Sequence, residues 1–134
     1  MHTKSFSARL DVELLGRLRR LSVRERVPLS QLVERFLEEA ARSEELPGIV
    51  FRSGPAGRRA GVIGGPDVWE IVRDVQSART VGRPEPVRYV ARSTDLSEAQ
   101  VGLAVSYYAT YSGEIDARIA AETELSARLL AGVA

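Results

Sequence analysis

From Lys4 to Leu10 apolar and polar residues alternate, with Phe6, Ala8 and Leu10 on one face and Ser5, Ser7 and Arg9 on the other. That period predicts a strand. The period then changes. Residues 12–25 set Val12, Leu14, Leu15, Leu18 and Leu21 on one side of a helix and Arg17, Arg20 and Arg24 on the other, with Asp11 as its N-cap. Pro28 has no N–H and restrains Val27, so the helix breaks at RVPLS. A second helix over 29–42 carries Leu32, Val33, Phe36, Leu37 and Ala40 at helical spacing, and SEELPG (43–48) is a linker or a helix end.

Beyond residue 48 the pattern describes a different object. Two short apolar runs flank SGPAG, which predicts a hairpin. Asp67 and Glu70 stand at capping-box spacing before a helix over 68–78 striped by Val68, Ile71, Val72 and Val75. RTVGRPEP reads as a loop, 87–93 as a short helix and STDL as a turn. A longer helix follows over 97–111, capped by Ser97 and broken at Gly113. A last helix over 114–131 has Glu114–Arg118 and Glu124–Arg128 at i, i+4. The chain therefore reads as mostly α with a short N-terminal strand, in two domains, 1–45 and 46–134.

Composition narrows the chemistry. Of 134 residues 44% are hydrophobic and 28% charged, which fits a folded globular chain. No run of 18 apolar residues offers a membrane span, and no apolar signal region opens the chain, so a cytoplasmic, bacterial, nucleoid-associated location is expected. There is no cysteine, and the one histidine is His2, so thiolate or histidine metal sites and a Ser-His-Asp triad are not expected. No nucleophile–base pair converges, so neither an enzyme nor a cofactor is expected. Net charge is +1 but unevenly placed. Residues 1–26 hold seven basic against three acidic groups, 49–92 eight against four, and 93–134 two against six. Two basic regions thus precede an acidic one, an asymmetry suited to an anionic partner at the front and a different partner at the back.

The first 45 residues are too few to bury a core alone, and without cysteines a partner chain is the natural remedy. Two copies of strand 4–10 paired antiparallel would cover the helices with Phe6, Ala8 and Leu10 and turn Ser5, Ser7 and Arg9 outward. A two-stranded ribbon fits the B-DNA major groove, where Arg can reach guanine O6 and N7. The segment FSARLD, the leucine spacing of the first helix, and LSQLVERFLEEA together resemble the ribbon-helix-helix (CopG/Arc/MetJ) DNA-binding family over roughly residues 3–43. The resemblance implies a homodimer on double-stranded DNA, with Ser5, Ser7 and Arg9 reading bases. It also implies phosphate contacts at Lys4 and at the backbone of Leu29 and Ser30. The chain departs from the family at Pro28, where Ser or Thr is usual, and near Arg26, where Gly is usual.

Residues 46–122, through LPGIVFRSGPAGRRAGVIGGPDVWEIV, LSEAQVGLAVSYYATY and GEIDARI, resemble a module of unknown function associated with VapB-type antitoxins. That resemblance implies a small hairpin plus helix-turn-helix-like, homeodomain-like fold, with toxin association in many members. Helix 97–111 holds Glu98 and no Lys or Arg, so it is not expected to read DNA. Tyr107, Tyr108 and Tyr111 form either a partner-contact patch or core with hydroxyls at the rim. Arg52, Arg58 and Arg59 around the hairpin turn are either an accessory anion or DNA contact or an exposed basic hairpin. Trp69 is expected to pack in the core.

Two functions follow. One is a dimeric, sequence-specific transcriptional regulator, an antitoxin-like repressor whose acidic last helix would suit a basic toxin such as a PIN-type RNase. The other is a stand-alone transcription factor whose second module oligomerises on DNA or binds a ligand.

Overall fold

The computed structural model describes residues 2–133. Six helices and one hairpin follow in the order α1 (Val12–Glu25), α2 (Leu29–Glu45), β1 (Ile49–Gly54), β2 (Gly57–Val62), α3 (Val68–Thr80), α4 (Pro86–Ser93), α5 (Glu98–Thr110) and α6 (Ser112–Val133). The protein is therefore mostly helical with a small two-stranded antiparallel sheet. The strand expected over 4–10 does not form: the sheet is the internal hairpin, and Lys4 to Leu10 carry no secondary structure. The physical reason is direct. A strand is held by a ladder of hydrogen bonds to a neighbour, and a single copy of the chain supplies none there.

The chain divides within α2 into two compact units, Met1–Ala41 and Arg42–Ala134. In the first unit Asp11 caps α1, its Oδ2 accepting from the N–H of Glu13 at 3.0 Å and of Leu14 at 3.2 Å. At the other end Arg26 adopts φ 57°, ψ 42°. Its N–H donates to Val23 O and that of Val27 to Ser22 O, a Schellman closure that usually employs glycine. Arg26 thus takes the left-handed position despite its Cβ. The Ser22 hydroxyl donates to Val27 O at 2.5 Å, and Arg35 pairs with Glu25 at 3.1 Å. These bonds fix the α1–α2 turn. They bury almost nothing: α1 has no buried residue, and Leu32 is the one buried residue of α2.

The second unit has a conventional core. Ile49 and Val62 from the hairpin join Val68, Ile71, Val72 and Val75 of α3, Val90 of α4, Val101, Ala104 and Tyr107 of α5, and Ile115 of α6. Helix α3 packs against all three later helices and β2. Its start is set as the capping-box spacing requires, with Glu70 Oε2 accepting from the Asp67 N–H at 3.0 Å. It runs two residues beyond 78, through Thr80. Ser97 and Gln100 form a second box at the start of α5.

Two expectations fail near the C-terminal end of the chain. The break after α5 falls at Tyr111, not Gly113, which lies in the first turn of α6 where glycine is tolerated. Arg118 pairs with Glu122 at 3.2 Å, not with Glu114, because Glu114 is held by Arg42 and the Tyr107 hydroxyl. Among the described residues no helix is long and apolar enough to cross a membrane.

Candidate nucleic-acid interface

The residues assigned to DNA lie on the first unit. Lys4, Ser5, Ser7 and Arg9 are all exposed, on a segment without secondary structure that leads into the capped start of α1. The alternate residues are exposed too: Phe6 is 85% accessible and Leu10 42%. Val12 (83%), Val23 and Leu37 add further apolar surface on α1 and α2. So the apolar residues of the alternation are unburied, as are the two hydroxyls and the guanidinium that alternate with them.

Leu29 and Ser30 occupy the first two positions of α2, where backbone N–H groups have no partner within the helix. Pro28 sits just outside; its carbonyl accepts from Leu32 N–H at 3.0 Å. The missing N–H of Pro28 therefore falls before the helix, and the first-turn donors begin after it. No acidic residue stands in that first turn, so the positive end of the helix is not neutralised locally.

The basic hairpin is a different case. Arg52 and Arg59 face each other across β1 and β2 in register, a pairing that would be repulsive alone. Asp67 lies between them. Its Oδ1 accepts from Arg52 Nη1 at 3.2 Å and its Oδ2 from Arg59 Nε at 2.5 Å. Arg52 Nη2 donates to the carbonyls of Val62 and Gly65, both at 2.9 Å, and Trp69 Nε1 donates to Asp67 Oδ2 at 3.3 Å. Gly61 and Gly54 let the guanidinium groups lie against the strands: a Cβ on Gly61 would meet Arg52 Nη1 at 2.3 Å, and one on Gly54 would meet Arg59 Nη1 at 1.7 Å. Asp67 is only 7% exposed. Arg52 and Arg59 thus belong to a half-buried network centred on Asp67. Arg58 is exposed and donates to the Ser53 hydroxyl at 2.9 Å.

The three tyrosines also separate. Tyr107 is fully buried and therefore not a partner contact. Its hydroxyl donates to Glu114 Oε2 at 2.6 Å and accepts from Arg42 Nη1 at 2.7 Å. Burial, reinforced by the Glu114 carboxylate, pushes its pKa above the ordinary tyrosine range. Tyr108 and Tyr111 are half-buried at the rim: Tyr108 donates to Asp116 at 2.7 Å, and the Tyr111 ring meets that of Tyr107 at a tilt of 39° with Arg42 3.9 Å above it. Trp69 is half-buried, with Arg73 over its ring at 5.1 Å.

Sequence reasoning missed the carboxylate that joins Arg52 to Arg59. Only the register set by the two-residue turn at 55–56 makes the two arginines cross-strand neighbours, and a turn read as SGPAG does not set it. It also missed Arg42 as the partner of Tyr107, 65 residues away, for which no local signal exists. No family model, curated protein or solved structure matches the chain.

Proposed function

We propose that the protein is a dimeric, sequence-specific DNA-binding regulator of ribbon-helix-helix type. The observation that carries this reading is the incompleteness of the first unit. Fourteen residues of amphipathic α1 bury no side chain, and the alternating segment before it exposes Phe6 and Leu10. A second copy supplies what is missing. Pairing the two 4–10 segments antiparallel satisfies their backbone groups and covers Phe6, Ala8 and Leu10. The same pairing brings Ser5, Ser7 and Arg9 of both copies to one polar face, with Lys4 beside it and the Leu29 and Ser30 N–H groups facing phosphates.

The antitoxin-like part of the proposal rests on α6. Its outer half exposes Leu125, Leu129, Leu130 and Val133 along with acidic Glu124. That combination suits a basic protein partner of the nuclease-toxin kind.

The decisive experiment joins sedimentation of the purified chain with genome-wide footprinting and identification of co-purifying chains. A dimer that protects a two-fold symmetric site is the expected result. Arg9→Ala should relax sequence preference there and weaken binding by about 1–3 kcal/mol for each guanine that Arg9 reads. A monomer that enriches no DNA sinks the proposal.

A further inference from the structure

A cavity of about 310 Å³ lies in the second unit between β2, the start of α3 and the first half of α6. Trp69, Ala60, Ile115 and Ala121 give it apolar walls, and Arg58, Arg59 and Arg118 line it with positive charge. We propose that this cavity binds a small organic carboxylate, its apolar body against Trp69 and α6 and its charge on the arginines. The proposal is independent of DNA reading, since every residue it uses lies in the second unit.

Three features lead to that ligand class. The first is an unmet donor. Arg118 gives Nη2 to Glu122, but its Nε is buried with no acceptor among the described residues. A buried guanidinium N–H without a partner is costly, and a carboxylate oxygen would relieve it. The second is the state of the one carboxylate in the lining. Glu114 already accepts from Arg42 at Oε1 (2.9 Å) and from the Tyr107 hydroxyl at Oε2 (2.6 Å). Both of its oxygens thus already accept from groups other than the three lining arginines. The third is pre-organisation. Asp67 Oδ2 holds both Arg59 and the Trp69 indole N–H, so wall and charge are fixed by the same atom before any ligand arrives.

The volume is at the low end of small-molecule sites, roughly 300–1,000 Å³, which limits the ligand to one ring or a short chain. The alanine and isoleucine walls offer no donors for extra oxygens, so inorganic phosphate fits poorly: its remaining charge would be buried against apolar carbon.

Trp69 is the sole tryptophan, so its fluorescence reports on this cavity. The full chain would be titrated with benzoate and hexanoate, with benzamide and inorganic phosphate as comparators. The expected result is a saturable response to the carboxylates, with benzamide and phosphate at least roughly tenfold weaker. Arg118→Gln should lower benzoate affinity about tenfold, and Ala121→Leu should abolish binding by filling the space. Methyl NMR should place the perturbation at Ala60, Ile115, Ala117 and Ala121 in the unmodified chain, a readout that needs no variant to fold. No saturable response to either carboxylate, equal binding of benzamide or phosphate, or methyl shifts elsewhere would overturn the proposal.

Discussion

Helices α1 and α3 are close in length, 14 and 13 residues, and each carries an apolar stripe. Yet α3 buries Val68, Ile71, Val72, Val75 and Ala78, while α1 buries nothing. The difference is not in the helices, since both are properly capped and periodic. It lies in what surrounds them. The second unit closes around α3 with a hairpin and three more helices. The first unit offers α1 a short turn, one following helix and an unpaired segment. An amphipathic face is a demand for a partner, and one unit meets the demand within the chain while the other leaves it open.

The contrast between the units breaks most severely at Asp67. Asp67→Asn removes the charge between Arg52 and Arg59 and leaves two cross-strand guanidinium groups opposed. A destabilisation of about 3 kcal/mol is expected in the unfolding of the second unit by urea, with hydrogen exchange in α1 unaffected. The mirror experiment is Phe6→Ser. In one copy the side chain is already exposed, so the second unit should melt unchanged. Self-association should weaken by about 1.5–3 kcal/mol for each Phe6 removed, read by sedimentation. A chain whose association does not respond to Phe6→Ser pairs through some other surface.

Tyr107→Phe sharpens the contrast through pH. It keeps the ring and removes the hydroxyl between Arg42 and Glu114, at a cost of about 1–3 kcal/mol. Because the folded pKa of Tyr107 is raised above the ordinary 10.0, its contribution is complete below that value. As pH rises beyond it the unfolded state loses the proton first, and stability falls by about 1.4 kcal/mol per pH unit. The alkaline slope should be shallower in Tyr107→Phe, and equal slopes would show that Tyr107 does not carry it. The smallest effect belongs to the first unit. Arg26→Gly removes a Cβ from a left-handed residue (φ 57°) and should slow amide exchange in α1 by the equivalent of about 1 kcal/mol.

Most helices were legible because their signals are local. Asp11, Ser97 and the Asp67–Glu70 pair mark helix starts by side chains that reach two or three residues. The hairpin was legible from two runs around a Gly-rich turn. The N-terminal strand was legible as a pattern and absent as a structure, since alternation states which face is apolar but cannot provide the neighbouring strand. The sequence counts the charges of Arg52 and Arg59 without showing that one aspartate holds both. The Tyr107 site depends on Arg42 on α2 and Glu114 on α6, and no periodicity links positions so far apart.

What the sequence by itself determined is the set of elements, their caps and the faces they would bury, because these follow from interactions within about four residues. Only the tertiary structure decided which faces are answered. It took Tyr107, Arg52 and Arg59 into the framework of the second unit, gathered three arginines around a cavity beside Trp69, and left Phe6, Leu10 and α1 uncovered. Burial and ion pairing are properties of the surroundings a side chain finds, and those surroundings are assembled from residues far apart in the chain.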